Sequence, residues 1–349
     1  MSRPSTTSRV PRGIVLVGDV RQRLSELPPA SVDCVITSPP YFQLRDYQMA
    51  EQIGLEADVS GWVDELRVVL QGIARVLRPT GSVWLNLGDT FSRHDRFGAP
   101  PKSLLLGPER VGLGLIEDGW IVRNKVIWAK SNVMPNSVRD RLSCGWEVVY
   151  FLTRARQYYF DLDAIRVPHR SVRSKRPLTG TSIPTSRPLW AGPLAGNNAG
   201  LARLKAQGLV GHPLGKNPSD VWSLAASNFR GPHFATFPSA LVTRPLLATC
   251  PERVCSSCGA SWRRQPARSR GQVTVPDELR QACRCRKGWR PGLVLDPFFG
   301  AGTVGLVAEQ HGRDWLGIEL NPAFARLASE RIASARTDGQ ATGGQPRAA

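Results

Sequence analysis

The sequence predicts an α/β fold built around a largely parallel sheet. Short apolar runs alternate with segments of helical periodicity. The length of 349 residues is enough for one large domain or two smaller ones, and an apolar content of 41% suits a globular protein with a core. Residues 14–17 are apolar, a helical stretch follows to Leu27, and residues 32–36 are predicted to form a buried strand. This strand–helix–strand order is typical of parallel sheets. Ligands bind such sheets at the carboxyl ends of the strands, which Asp19 and Ser38 follow in the sequence.

The same alternation continues along the chain. Trp62, Leu66 and Ile73 recur at helical spacing behind Ser60, which we expect to be the N-cap of a helix that ends before Pro79. Asn321 is expected to cap the last helix, with Pro322 at its first position. The other predicted elements are a strand over 82–87, a helix over 103–117, strands over 120–128, 146–152 and 293–295, a helix over 303–310, a strand over 315–319 and the last helix to 336.

Composition divides the chain into segments. Residues 154–232 are rich in Pro, Gly, Ser, Asn and Arg and have weak periodicity, which predicts an inserted, loop-rich, basic segment. The predicted segments are a basic flexible N-terminus (1–12), a first α/β half (13–153), the insertion (154–232), a second α/β half (233–336) that includes a cysteine-rich insertion (250–290), and a disordered tail (337–349).

Charge and hydropathy restrict the functional class. The formal net charge is +18 and the sequence pI is about 10.5, a surplus that favours a polyanionic partner. No apolar run approaches the roughly 20 residues that span a bilayer, so we expect no membrane association. The polar, basic N-terminus is not a signal peptide, which predicts a cytoplasmic protein.

A glycine turn follows the predicted strand at 293–295. The run Asp296-Pro297-Phe298-Phe299-Gly300-Ala301-Gly302-Thr303 ends a strand, lets the backbone approach a ligand at its glycines and then opens a helix. It differs from the longer dinucleotide fingerprint, and the sequence has no glycine–lysine phosphate loop. Glu319 ends the next strand, at about the spacing at which an acidic residue meets ribose hydroxyls. The turn therefore predicts a site for a nucleotide-like cofactor.

A second motif, Thr37-Ser38-Pro39-Pro40-Tyr41, directly follows residues 32–36. An exocyclic amino group on cytosine or adenine is a poor nucleophile, because its lone pair is delocalised into the ring. Hydrogen-bond acceptors around the NH2 favour a more tetrahedral nitrogen and stabilise the charge that develops in the transition state. The Ser38 side chain and the Pro39 carbonyl supply such acceptors, Pro40 stiffens the turn, and Tyr41 offers a flat face to an extruded base.

These two motifs, in this order, resemble those of the amino-methyltransferases that modify DNA, in the permuted arrangement called the beta class. The resemblance covers roughly residues 14–331. It implies a Rossmann-like sheet of the S-adenosylmethionine-dependent methyltransferases, in which 13–153 carry the base pocket, 154–232 recognise the target and 233–336 bind the cofactor. It further implies double-stranded DNA as substrate, and it leaves open a cognate restriction endonuclease and the oligomeric state.

The resemblance also implies roles for single residues. Ser38, Pro39, Pro40 and Tyr41 would form the catalytic pocket. Asp296 and the glycine turn would hold the methionine part of the cofactor, Glu319 its ribose and Asp19 its adenine. The complete implied cofactor set is Asp19, Phe237, Pro238, Asp296, Pro297, Phe298, Gly300, Gly302, Thr303, Glu319 and Asn321. The implied DNA-binding set is Lys130, Asn132, Arg141, Arg170, Arg173, Lys175 and Arg176.

Ser38 also indicates the target base. In the family that the chain resembles, Ser-Pro-Pro-Tyr is mostly directed to N4 of cytosine, so we predict that product, with N6 of adenine as the alternative. Methylation of RNA or of protein glutamine is a further alternative, against which the motif order and Ser38 argue. A catalytically inactive, zinc-containing DNA-binding protein is another, against which the intact Asp296 and Gly300 argue.

Five of the seven cysteines lie between Cys250 and Cys285. In a cytosolic protein such clustering favours a metal over disulfides. Cys255, Cys258, Cys283 and Cys285 predict a tetrahedral zinc site in a small zinc-ribbon-like insertion, with Cys250 as a spare or as a replacement for one ligand. The position of the cluster before the cofactor strand favours a structural role or a DNA contact over catalysis.

Overall fold

The computed structural model of the chain describes residues 10–133, 135–169, 212, 214–227, 237–265, 267–269, 272–276 and 278–341. The chain forms two compact units, the larger from residues 1–161, 219–262 and 281–349, and the smaller from 162–218 and 263–280. None of the helices in the described ranges is long and apolar enough to cross a membrane.

The helices are α1 (Val20–Glu26), α2 (Val59–Val76), α3 (Gly107–Glu117), α4 (Ser239–Thr249), α5 (Thr303–Gln310) and α6 (Pro322–Ala341). The strands are β1 (Ile14–Val17), β2 (Val32–Thr37), β3 (Leu77–Leu87), β4 (Ile121–Lys130), β5 (Trp146–Thr153), β6 (Val221–Leu224), β7 (Val254–Cys255), β8 (Arg263–Arg264), β9 (Ala267–Ser269), β10 (Gln272–Thr274), β11 (Leu279–Arg280), β12 (Trp289–Arg290), β13 (Leu293–Asp296) and β14 (Asp314–Glu319).

One eight-stranded sheet organises the larger unit, in the order β1-β14-β13-β2-β3-β5-β4-β6. The pairs β1–β14, β14–β13, β13–β2, β2–β3 and β4–β6 are parallel, and β5 is antiparallel to both β3 and β4. The fold is therefore α/β, and its sheet is mixed but mostly parallel, as the sequence predicts. Because β5 runs in the opposite direction, its first residues lie at the edge where the parallel strands end.

Alternation along the buried strands builds two apolar layers. On β2, Val35 packs with the cluster that includes Leu24 of α1 and Leu70 of α2, whereas Cys34 packs on the opposite face with Leu246 of α4. Each such side chain is completely or almost completely buried. Burying one of them contributes roughly 1.5 to 3 kcal/mol, so helices on both faces hold the sheet in place.

Two helix starts differ from the predicted ones because other residues cap them. Asp58, not Ser60, caps α2, and its carboxylate accepts the Gly61 amide at 2.9 Å. Helix α3 begins at Gly107 rather than at 103, and its first amides are bound by Asp89, which lies just beyond the end of β3. A cap supplied across such a distance in the sequence leaves no local signal.

The end of the last helix also differs from the prediction. Helix α6 continues to Ala341, so residues 337–341 of the predicted disordered tail are helical. Gly339 is the one residue of that stretch with a strong helix penalty, and one glycine costs only about 1 kcal/mol in a helix. Residues 342–349 lie outside the described residues.

Candidate functional site

A cavity of about 490 Å³ opens at the carboxyl edge of the large sheet. It is lined by residues that follow β1, β2, β13 and β14, together with the first residues of β5 and the last residues of β4. The sequence-predicted residues that line it are Asp19, Ser38, Pro39, Pro40, Tyr41, Lys130, Phe237, Pro297, Phe298, Gly300, Thr303, Glu319 and Asn321. One cavity therefore brings the two motifs together.

The Ser38–Tyr41 turn is held from outside the cavity. The carbonyl of Pro40 accepts a hydrogen bond from the indole nitrogen of Trp62 on α2 at 3.0 Å. The Tyr41 ring lies against Gly88, where a Cβ would come within 2.5 Å of the ring. A side chain at residue 88 would displace the ring, so this glycine sets the position of Tyr41.

A polar network connects the turn to three strands. The Tyr41 hydroxyl donates to Glu147 at 2.6 Å and accepts from the Asn86 amide at 2.7 Å. The same amide donates to Glu147 at 2.8 Å, and Ser38 Oγ lies 3.2 Å from the Tyr41 hydroxyl. Lys130 pairs with the other oxygen of Glu147 at 2.6 Å. The carboxylate thus has a partner on β3, on β4 and in the turn.

The same surroundings fix the protonation of Tyr41. Burial and the neighbouring charge of Glu147 raise the pKa of Tyr41 well above its usual value. The phenol therefore remains a hydrogen-bond donor at neutral pH, and its proton points toward Glu147.

Glu319 organises the opposite end of the cavity. Its two carboxylate oxygens accept the amides of Gly300 at 2.8 Å and Asn321 at 2.9 Å. Gly300 and Gly302 have φ values of +50° and +74°, in the left-handed region that favours glycine. Burial raises the pKa of Glu319, although these amides oppose the shift. Each oxygen keeps a lone pair for a further donor, such as a ribose hydroxyl.

Asp19 is a second carboxylate at this end. It caps α1 by accepting the amides of Arg21 and Gln22, and the Arg21 side chain pairs with it at 2.8 Å. Burial works against ionisation, but the hydrogen bonds from Arg21 and Gln22 outweigh it and lower the pKa of Asp19. The group is ionised at neutral pH.

Three predicted cofactor residues are not among the lining residues: Asp296, Gly302 and Pro238. The Asp296 side chain is 1% exposed, and its Oδ1 accepts the Thr37 hydroxyl at 2.7 Å and the Phe298 amide at 3.1 Å. Burial raises the pKa of Asp296 to about 8. The carboxyl group joins the ends of β2 and β13, and a contact with the methionine part of a cofactor remains a prediction.

The predicted DNA-binding residues have different surroundings in the structure. Lys130 lines the cavity and lies 5.2 Å from the ring centre of Trp128. Asn132 instead binds the backbone of Ala226, and Arg141 is exposed above the ring of Phe91 at 3.8 Å. Arg170, Arg173, Lys175 and Arg176 lie outside the described residues.

Four of the predicted metal ligands come together. The sulfur atoms of Cys255, Cys258, Cys283 and Cys285 all lie within 4.8 Å of one another. Zinc–sulfur bonds of about 2.3 Å place tetrahedral sulfur atoms roughly 3.8 Å apart, so the cluster fits such an ion with small adjustments. Cys250 is completely buried and lies outside the cluster, so it is the spare cysteine.

The cysteine cluster is joined to the amino edge of the sheet. β7 and β12 pair, and Arg290 on β12 reaches Asp33 of β2 at 3.2 Å. The same buried carboxylate pairs with Arg78 of β3 at 3.1 Å and accepts the amide of Leu293 on β13 at 2.9 Å. The cluster therefore lies at the edge opposite the cavity.

Sequence reasoning missed Glu147. A single charged residue near the start of an apolar run, Trp-Glu-Val-Val-Tyr-Phe, was the available signal. Its position at the cavity follows only from the antiparallel direction of β5, which the sequence alone does not indicate.

Comparisons with known proteins match most of the chain to DNA methyltransferases. Residues 32–330 match the N6_N4_Mtase family, described as DNA methylase. The chain is 31% identical over 336 residues to the Type II methyltransferase M.Cfr9I of Citrobacter freundii, covering 90% of this chain and 86% of that protein. It is 43% identical over 192 residues to the Type II methyltransferase M.SfiI of Streptomyces fimbriatus, covering 52% of this chain and 46% of that protein.

The fold is similar to that of a solved structure, the PvuII DNA methyltransferase, whose title describes it as cytosine-N4-specific. The TM-score is 0.55 at 17% identity, and the match covers 94% of this chain and 92% of that one. The family match extends over most of the chain and includes both motifs that line the cavity. The chain belongs to the N6/N4 family of DNA methylases.

Proposed function

We propose that this protein transfers a methyl group from S-adenosylmethionine to N4 of cytosine in double-stranded DNA, after the base has been flipped out of the helix. The observation that carries the proposal is the single cavity, which holds the Ser38–Tyr41 turn at one end and the Gly300 turn with Glu319 at the other. A methyl donor and a base bound at these two ends face each other in one space.

The base end suits an extruded nucleobase. Ser38 Oγ and the Pro39 carbonyl accept hydrogen bonds from the exocyclic amine, which keeps its nitrogen lone pair available for bond formation. The Tyr41 ring, fixed by Gly88 and the Glu147 hydrogen bond, provides the stacking face. Flipping is required because an amine inside the duplex is out of reach of any such pocket.

The cofactor end suits S-adenosylmethionine. Its left-handed glycine turn brings backbone close to the cavity, Glu319 offers acceptors for ribose hydroxyls, and Phe298 and Phe237 provide apolar surface. Asp19 lies at the same end and accepts from an adenine amine. When bound, the cofactor supplies an electrophilic methyl group on a cationic sulfur, so the reaction needs no metal.

Cytosine N4 is favoured over adenine N6 by Ser38. The family that the chain resembles uses this residue mostly for cytosine, and the PvuII enzyme of similar fold is described as cytosine-N4-specific. Both bases present an amine beside a ring nitrogen, so N6 of adenine is the alternative product.

The substrate and partners follow from the charge and the relatives. The net charge of +18 favours binding to the DNA backbone through arginine and lysine contacts. Among the arginines and lysines predicted to bind DNA, Lys130 at the cavity and the exposed Arg141 lie in the described part of the chain. The relatives are named Type II methyltransferases, so we place the protein in a restriction–modification system with a cognate endonuclease.

The cysteine cluster holds structural zinc in this proposal. Four thiolates fill a tetrahedral site and leave no open position for substrate or water. The site lies away from the cavity, so its function is to stabilise the fold.

The test is to express the protein in a host free of DNA methylation and to sequence its DNA by a single-molecule method that reports modified bases. N4-methylcytosine at one short motif is the expected result, and it also gives the recognition sequence. N6-methyladenine would overturn the choice of base. No modified DNA base from folded protein that binds S-adenosylmethionine would overturn the proposed function.

A further inference from the structure

We propose that Glu147 is the final acceptor of the proton that the target amine loses, and that the proton reaches it through Ser38 and Tyr41. This inference rests on the proposed function, because it concerns the same amine in the same cavity. The three residues belong to two parts of the fold: Ser38 and Tyr41 lie in the turn after β2, and Glu147 lies at the start of β5.

The reaction itself requires a proton acceptor. The bond between the amine nitrogen and the methyl carbon forms as the bond between that carbon and the donor sulfur breaks. The nitrogen then carries a positive charge, and the neutral methylamino product forms only when one N–H proton leaves. A serine hydroxyl and a backbone carbonyl accept hydrogen bonds but do not keep a proton at neutral pH, so the proton must move on to a basic group.

The structure provides a continuous hydrogen-bonded path to such a group. Ser38 Oγ lies 3.2 Å from the Tyr41 hydroxyl, which in turn donates to Glu147 Oε2 at 2.6 Å. A proton that arrives at Ser38 releases the serine proton to Tyr41, and the Tyr41 proton moves to the carboxylate. Every group in the path ends with its original number of protons except Glu147, which gains one and later returns it to solvent.

The surroundings set the direction of this path. Asn86 donates to both Tyr41 and Glu147, so the phenol oxygen accepts from Asn86 and Ser38 while its own proton points to the carboxylate. Lys130 on β4 pairs with Oε1 and leaves Oε2 to the path. Glu147 is therefore faced by one cation, one amide and one phenol, and the network is arranged to receive a proton at a single oxygen.

The experiment compares single-turnover methylation by the wild type, Glu147→Gln, Tyr41→Phe and the double variant. Both single changes retain the shape of the side chain, and glutamine still accepts from Tyr41. We expect each to slow the chemical step by on the order of 100-fold, the usual scale of positioned proton transfer. The double variant should be no slower than the single ones, because the two residues act on one path.

Two readouts separate proton transfer from a purely structural role. Affinity for S-adenosylmethionine should stay at the wild-type level in both single variants, and both should unfold in one cooperative transition at a melting temperature only modestly below that of the wild type. The solvent deuterium isotope effect on the single-turnover rate should be clear in the wild type and lost in Glu147→Gln, because only the wild type passes the proton to a carboxylate. The matched control is Glu109→Gln, a carboxylate paired with Lys125 on the surface, which should behave as wild type.

Each unexpected result overturns a different claim. If the wild type methylates DNA and Glu147→Gln retains its rate, the role of Glu147 is overturned while the proposed function stands. If Glu147→Gln is slow and Tyr41→Phe is not, the path through Tyr41 is overturned. A wild type that modifies no DNA base instead overturns the proposed function.

Discussion

Single residues at the cavity are held by partners that are distant in the sequence. Thr37 binds Asp296 across the ends of β2 and β13, and Tyr41 binds Glu147 across the sheet. The motif residues could be predicted because their chemistry is contained in five or eight consecutive positions. The partner Glu147 could not, because it is an ordinary strand residue until the sheet places it beside the turn.

Ser38 gives the first prediction at this scale. Ser38→Ala removes one acceptor of the target amine, so we expect methylation to slow by about 100-fold, as when one stabilising group is removed from other active sites. S-adenosylmethionine affinity should stay nearly unchanged, since the cofactor end lies at the other side of the cavity. Rapid-quench kinetics and calorimetry measure the two quantities. Loss of cofactor binding would contradict the assigned role.

Asp296 gives a prediction about stability and pH. Burial raises its pKa from 3.8 to about 8, so folding favours the protonated carboxyl group. That contribution to stability is complete below pH 3.8 and is lost as the pH rises through about 8. Asp296→Asn keeps the acceptor for Thr37 without the ionisation, so we expect the variant to gain stability relative to the wild type between pH 5 and pH 8.

Denaturant unfolding of both proteins at several pH values measures this difference. The other ionisable groups are common to the two chains, so their effects cancel when the curves are subtracted. If the free energies of unfolding of the two proteins instead change with pH in the same way, the Asp296 carboxyl group titrates normally in the folded protein.

At the scale of elements, the glycine turn before α5 is defined by backbone geometry and by packing. Gly302 is the N-cap, and a Cβ there would lie 2.9 Å from Ala328 on α6. Gly312 has a similar φ of +62°, but nothing lies within 4 Å of its Cβ position. The sequence pattern predicts the left-handed turn, whereas the contact with α6 appears only in the folded chain.

The two glycines form a matched pair of substitutions. Gly312→Ala should cost about 1 kcal/mol, the strain of a left-handed alanine. Gly302→Ala should cost about 1 to 3 kcal/mol more, because the methyl group also collides with α6. Chemical denaturation measures both free energies of unfolding. Equal losses of unfolding free energy in the two variants would mean that α6 moves away from the added methyl group without cost.

At the scale of the whole molecule, strands from both halves of the chain form one sheet, and the cysteine cluster joins them at the amino edge. Asp33 connects β2, β3 and β12 there and binds the first amide of β13. The parallel sheet and the four-cysteine cluster could be predicted, because apolar periodicity and cysteine spacing are visible in the sequence. The Asp33 contacts could not, since the partners Arg78, Arg290 and Leu293 are distant from it in the sequence.

The cluster therefore predicts a global effect of metal removal. A strong chelator should lower the melting temperature of the wild type, because the Arg290–Asp33 contact depends on the folded cluster. Cys283→Ser should lose the bound zinc and show the same lower melting temperature. Cys144→Ser, an exposed cysteine outside the cluster, should keep one zinc per chain. Elemental analysis and calorimetry measure these outcomes, and wild-type protein without zinc would remove the metal from the proposal.

The strand order has a consequence for how the protein is made. β14 and β13 lie between β1 and β2, although they are synthesised after the six other strands of the sheet. While the chain emerges from the ribosome, β1 has no parallel partner and one edge of β2 stays unpaired. Open strand edges promote aggregation, so we expect the nascent chain to be prone to aggregate until its last strands are released. Translation that stops before Asp314 therefore leaves an unfinished sheet in place of a shorter enzyme.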